Sequence, residues 1–168
     1  MTSRKPKPKT VAATVADTET RVNDSDHDSV RLWLRLLACT NLIEGQVRSR
    51  LRQQFDTTLP RFDLMAQLER APDGLKMGEL SKRMMVTGGN VTGITDQLVS
   101  EGLVVREDNP EDRRAYIIKL TAEGRRQFNR MAGPHAHWIV ELFAGLSDSE
   151  KQLLYGLLAT LKKHAAKF

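Results

Sequence analysis

Three groups of side chains in this chain of 168 residues have the types and spacing to do chemistry, and all three suit a polyanion. The first is Asp112-Arg113-Arg114, two guanidinium groups beside a carboxylate, within the polar connection from Asp108 to Arg114 that contains Pro110. The second is Lys76, Ser81, Lys82 and Arg83, cations and a hydroxyl of the kind that hold phosphate oxygens. The third is Thr87, Gly88, Gly89, Asn90 and Thr92, in which hydroxyls and an amide can meet base edges or phosphates while the glycines permit close backbone approach. Enzyme chemistry is not expected. No glycine-rich phosphate loop follows a strand, no nucleophile elbow is present, and no histidine is set with a serine or cysteine in a recognised arrangement. His135 and His137, with His164 or His27, lack a further cysteine or histidine at ligand spacing, so no metal or cofactor is expected either.

Those groups need elements to position them. Met77 to Met84 reads as a short helix anchored by Leu80, and a second helix follows in which Val91, Ile94 and Leu98 fall on one narrow face. That face must be buried. The opposite face carries Gly89, Thr92, Gly93 and Asp96, with Asn90 on its flank, and is small enough to lie close against a partner. Gly102 supplies the left-handed residue that commonly ends a helix. Leu103 to Glu107 and Ala115 to Leu120 then alternate as strands, and the connection between them is too long for a two-residue turn. Two helices, a short turn and a hairpin with arginines at its tip describe a winged helix-turn-helix. In that arrangement the second helix enters the major groove of a duplex and the hairpin lies along the backbone or in the minor groove.

The flanks are helical. Asp28 or Ser29 caps a helix running to about Gln54, with apolar residues on two adjoining faces, among them Val30, Trp33, Leu37, Val47 and Leu51. Contact on two sides is implied, one with the monomer core and one with a second subunit. Pro60 suits the first turn of a helix continuing through Ala71, striped by Phe62, Met65 and Leu68. Thr121 caps the next helix, which Gly133-Pro134 should bend or briefly break. Ser147 and Glu150 form a capping box ahead of a leucine-rich last helix. The fold class is therefore mainly α, a winged helix-turn-helix with a two-stranded wing. Residues 28–55 and 134–166 would form a dimerisation region, residues 59–121 the DNA-binding part, and both lie within one domain spanning 28–165. Residues 1–27 read as a disordered tail, basic and then acidic, with too few apolar groups to offset the entropy of ordering.

The run GNVTGITDQLVSEGLVVREDNPEDRRAYIIKLTAEG resembles the signature of the MarR family of bacterial transcriptional regulators. It shows the T-x-x-x-x-x-L-x-x-x-G-L-V run, then the D-R-R wing, then L-T-x-x-G. The resemblance covers about residues 29–165 and implies an obligate homodimer on a pseudo-palindromic operator. It also implies that Arg114 enters the minor groove, that Arg113 touches backbone, and that Asp112 holds an arginine to fix the shape of the wing. Gly93 stands where many members have a lysine or arginine, so base reading falls to Asn90, Thr87 and Thr92, to DNA shape and to the wing.

Members of that family are usually released from DNA by a small molecule bound where helices one, two and five meet. By that resemblance Trp33, Leu37, Thr40 and Asn41, with Phe62 and Met65, would line a pocket. The stretch RLWLRLLACTNLIEGQVRSRLRQQFDTTLPRFDLMAQLER is similar to the branch responding to aryl-CoA thioesters such as hydroxycinnamoyl-CoA. Repression of an aromatic-acid catabolism operon would follow, with Arg31 and Arg35 meeting the CoA phosphates. Two other readings stay open: a redox sensor acting through Cys39, expected as a buried group in helix one, and a winged helix used for protein contacts alone.

Composition agrees with a DNA-binding chain. The formal charge is a modest +5, and nucleic-acid binding depends more on where cations cluster than on their sum. One cysteine excludes an intramolecular disulfide, and no run approaches a membrane span or a signal-peptide core. A cytoplasmic, non-membrane protein is expected.

Overall fold

The computed structural model describes residues 28–109 and 115–168. Among the described residues two units are distinguished, one ending at Leu42 and one beginning at Ile43. The elements run α1 (Asp28–Phe55), α2 (Leu59–Glu69), β1 (Leu75–Lys76), α3 (Met77–Met84), α4 (Gly88–Ser100), β2 (Val104–Asp108), β3 (Tyr116–Leu120), α5 (Ala122–Leu142) and α6 (Asp148–Ala165). Among the described residues no helix is long and apolar enough to cross a membrane.

The sheet has three strands rather than the two expected, in the order β1-β3-β2 and antiparallel throughout. Leu75 pairs with Ile118 and Lys76 with Ile117, while Val104 pairs with Leu120 and Asp108 with Tyr116. A two-residue strand has no periodicity to detect, so residue order alone does not show it. Gly74 makes this pairing possible. Its φ is +89°, and a Cβ there would lie 2.4 Å from Ile117 Cγ2 and 2.8 Å from the Ile118 carbonyl oxygen.

In the unit from residue 43 onward, the core gathers where α2, α3, α4 and the sheet meet. Leu51, Leu64, Leu80, Val91, Leu98 and Ile118 are all fully buried. Each such side chain stabilises the fold by about 1.5–3 kcal/mol relative to leaving it in water. Local chemistry sets the ends of the helices much as the sequence suggested. Gly102 has φ +70° after α4, and Ser147 and Glu150 make the full capping box of α6. The Thr121 hydroxyl accepts from the Gly124 amide at 2.9 Å and donates to the Gly102 carbonyl at 2.7 Å, so one cap joins the start of α5 to the end of α4.

Pro134 does not break α5. The helix continues from Ala122 to Leu142. The proline removes one backbone donor, but Met131 and Trp138 on either side of it are both in the core and hold the two halves in one helix.

At Gly124 the backbone of α5 comes close against the Leu103 carbonyl. A Cβ at that position would lie 1.9 Å from the carbonyl oxygen of Leu103, the same oxygen that accepts from the Thr121 amide at 3.0 Å. Gly124→Ala should therefore lower stability by about 2–3 kcal/mol, read as a shifted urea midpoint at unchanged slope.

Two titratable groups pack into the same unit. His135 sits 4.5 Å from the Phe62 ring, and its burial lowers its pKa. Asp63 is pushed from an ordinary value of 3.8 up to about 6, first by burial and then by the Glu44 carboxylate, with Arg48 opposing. Arg48 itself is tied to Glu44 at 2.6 Å. A raised carboxyl contributes stability that is fully present below the unfolded pKa and is lost as pH rises through about 6. The lowered histidine acts oppositely, with stability present above its unfolded pKa and lost as pH falls. Asp63→Asn should gain thermal stability over the wild type as pH rises from 3.8 past about 6, in a series of melting curves.

Candidate nucleic-acid interface

The candidate reading surface is built on α4. Its inner stripe is Val91, Thr95 and Leu98, all fully buried, with Ile94 half-buried beside them. Thr95 escaped the sequence pattern because a threonine reads as polar. Its hydroxyl donates to the Val91 carbonyl at 2.8 Å and lies 3.8 Å from Met77 Sδ, which satisfies it without solvent.

With that stripe buried, Gly89, Asn90, Thr92 and Gly93 are exposed, as the spacing required. Nothing in the protein lies within 4 Å of a Cβ added at Gly89 or Gly93, and a Cβ at Gly88 would only reach Ser81 Oγ at 4.0 Å. Internal packing therefore does not demand glycine at these positions. Gly93, in the helix interior, costs about 1 kcal/mol against alanine, while Gly88 and Gly89 stand in the first turn of α4. The Thr92 hydroxyl donates to the Gly88 carbonyl at 3.0 Å, leaving its lone pairs outward. Thr87 is the N-cap of α4, and its side chain makes no capping bond to the helix.

Asp96 is exposed on the outer face, as the spacing required, and its carboxylate is paired with Arg106 of β2. Arg106 is half-buried, so strand and helix are bound together at that edge. On the other side, Arg61 in the first turn of α2 reaches both oxygens of Glu101, the C-cap of α4, with its Nη1 at 2.7 Å. Neither arginine was singled out from the sequence, because the partners are 10 and 40 residues apart and no local pattern links them. Beside α4 runs a groove of about 450 Å³, lined in part by Thr58, Pro60, Arg61, Val86, Gly89 and Gly93.

The segment from Lys76 to Arg83 divides by role. Lys76 and Lys82 are exposed, Arg83 lies 3.4 Å from Glu79, and the Ser81 hydroxyl donates to the Met77 carbonyl at 3.1 Å. Ser81 is thus half-buried and spent within α3. The turn into α4 is made by Met85, in the left-handed region at φ 54° and 91% exposed, a place more often given to glycine or asparagine. In the wing, Glu107 and Lys119 tie the two strands at 2.7 Å, and the Asn109 amide donates to the Ala115 carbonyl at 3.2 Å. Asp112, Arg113 and Arg114 lie outside the described residues.

The residues expected around an effector divide between the two units. In the first, Trp33 is 58% exposed, Leu37, Thr40 and Asn41 are exposed, and Arg31 is 3.8 Å from Asp28. Arg35 is exposed and engaged in an interaction of its own. Cys39 is exposed too, against the expectation of burial. In the second unit Phe62 and Met65 are buried, and Phe62 stacks on Phe128 at 5.4 Å and meets His135 at a tilt.

Comparison with known proteins agrees with this geometry. The MarR family pattern matches residues 57–116, which spans α2, the helix-turn-helix and β2. A MarR family transcriptional regulator from Silicibacter pomeroyi has a similar structure, with a TM-score of 0.73, 32% identity, and coverage of 86% of this chain and 99% of that one. A mutant MarR from E. coli, solved in complex with operator DNA, superposes with a TM-score of 0.73 at 25% identity over 83% of this chain and 99% of its own. The transcriptional repressor YetL of Bacillus subtilis is 32% identical over 109 residues, 64% of this chain and 65% of YetL. With a helix-turn-helix whose outer face is small and open, a winged sheet behind it, and these relatives, the chain belongs to the MarR family and is a DNA-binding transcriptional regulator.

Proposed function

We propose that this regulator is a cytoplasmic, dimeric repressor that grips a pseudo-palindromic operator and lets go when it binds an aryl-CoA thioester. The outer face of α4 carries the DNA half of the reading. A helix that spends three glycines where nothing inside the protein needs them is shaped for close approach to a duplex. Asn90, Thr87 and Thr92 meet base edges or phosphates in the major groove. Lys76, Lys82 and Arg83 hold backbone, Ser81 stands beside them with its hydroxyl on the Met77 carbonyl, and Arg113 and Arg114 extend the grip to the backbone and minor groove. A narrow minor groove concentrates negative potential, which favours an arginine there.

Dimerisation has its own support. No residue of α6 is buried, although Leu153, Tyr155, Leu157 and Leu158 lie along it, with Tyr155 79% exposed. Val30, Leu32 and Trp33 of α1 are exposed as well. Apolar surface of that extent on two terminal helices fits burial against a second copy. The effector half rests on the likeness of α1 and α2 to the aryl-CoA branch, and on Trp33, Leu37, Thr40 and Asn41 standing exposed near Arg31 and Arg35 in sequence. An aromatic acyl group on the apolar residues and phosphates on the arginines would satisfy that mixture. Control of an aromatic-acid catabolism operon is the matching role. One observation favours a second reading: Cys39 is exposed, where an oxidant could reach it.

Arg114→Ala should weaken binding to a selected duplex by at least about tenfold in a gel-shift titration. Lys82→Ala and Arg83→Ala should instead weaken all sequences alike, each lowering the salt slope by about one unit. For the effector, isothermal titration with hydroxycinnamoyl-CoA should give heat and the free acid much less. Silence with both, together with release from DNA by peroxide that Cys39→Ser abolishes, would favour the redox reading.

A further inference from the structure

An α-helix packed on another surface by aliphatic side chains alone can tilt at little cost, because apolar contact is not directional. A reading helix does not tolerate that freedom. The 13 residues of α4 span about 20 Å, so a tilt of a few degrees about one end moves the other by about 1 Å, enough to spoil a base-edge hydrogen bond. Directional pins are needed, and α4 has them on two edges.

Taking about 100° per residue, Asp96 falls about 20° to one side of Gly89 and Glu101 about 80° beyond Gly93 on the other, so the two carboxylates flank the glycine pair. Asp96 is held by Arg106 from β2, and Glu101 by Arg61 from α2. The second pin is the more constrained. Arg61 uses both terminal nitrogens on both carboxylate oxygens, its side chain is only 18% exposed, and its Nε is sealed from water without a hydrogen-bond partner. A guanidinium held at the cost of one unsatisfied N–H has little freedom to swing away. Its position on the wall of the groove beside Gly89, Asn90 and Gly93 places it behind the reading residues. The paired carboxylate also stands near a surface meant for phosphate, where an unpaired one would repel.

We propose that Arg61 and Glu101 are positioning residues for DNA reading: the fork between the first turn of α2 and the C-cap of α4 sets the angle at which Asn90 and the glycine face meet the duplex. Arg61 is then neither a phosphate contact nor merely a fold staple. The inference rests on α4 being the reading helix.

The test compares two duplexes, one selected from a randomised pool by the wild-type protein and one of shuffled sequence and equal composition, across a salt series. Arg61→Lys keeps the charge and loses the fork, and Glu101→Gln loses the charge. Both should cost about tenfold in affinity for the selected duplex while leaving the shuffled duplex and the salt slope at wild-type values. The reversed pair, Arg61→Glu with Glu101→Arg, should recover most of the loss, and it decides the matter if either single variant melts early. Wild-type discrimination in both single variants overturns the proposal. So does tighter binding of both duplexes by Glu101→Gln, which would mark the carboxylate as simple repulsion, or a salt slope lowered by about one in Arg61→Gln, which would mark a phosphate contact. Asn90→Ala separates the two levels. If it too leaves discrimination intact, α4 is not the reader and the functional reading falls with the latch. If it abolishes discrimination while the latch variants do not, only the latch falls.

Discussion

Burial of the inner stripe of α4 is the constraint from which the site follows. Val91, Thr95 and Leu98 have no exposed surface, and a helix with one face fully committed has no choice about what its opposite face shows. The glycines and Asn90 are presented outward because turning them inward would expose three buried side chains and strand the Thr95 hydroxyl away from the Val91 carbonyl. The affinity of such a surface for DNA comes from phosphate contacts around it, while its selectivity depends on how precisely the helix is held.

The holding is polar where the burial is apolar. Arg106 and Arg61 grip α4 from the sheet and from α2, and the Thr121 cap fastens the start of α5 to the residue that ends α4. Gly124 then brings α5 against the Leu103 backbone at a distance no side chain would allow. α4, β2 and the long helix α5 thus share a few backbone and ion-pair junctions around residues 101 to 106. A disturbance at any of these junctions has a short physical route to α4.

Several arginines of α1 that might have been free for a ligand are occupied. Arg48 pairs with Glu44, Arg52 with Asp56 and Arg50 with Glu141, and Arg50 also lies 5.8 Å over the Trp138 ring. These pairs are mostly exposed and contribute little to stability, but they show that a concentration of one charge type in a helix can be absorbed by its own neighbours. That narrows the cations available to an anionic effector more than composition suggested.

What the sequence determined by itself was everything with a short range. Caps at Thr121 and Ser147, the stop at Gly102, the helix at Met77 to Met84 and the apolar spacing of α4 depend on neighbours within a turn or two, so residue order is enough to specify them. The tertiary structure alone decided the rest. The third strand is too short to show a period, and Pro134 is tolerated only because Met131 and Trp138 anchor both sides. Asp96 is paired because Arg106 arrives from β2, and Arg61 finds Glu101 across 40 residues. Gly124 looks like any helical glycine until the Leu103 carbonyl is seen beneath it. In each case the deciding partner lies outside the local window, and the position of such a partner is set by packing rather than by residue order.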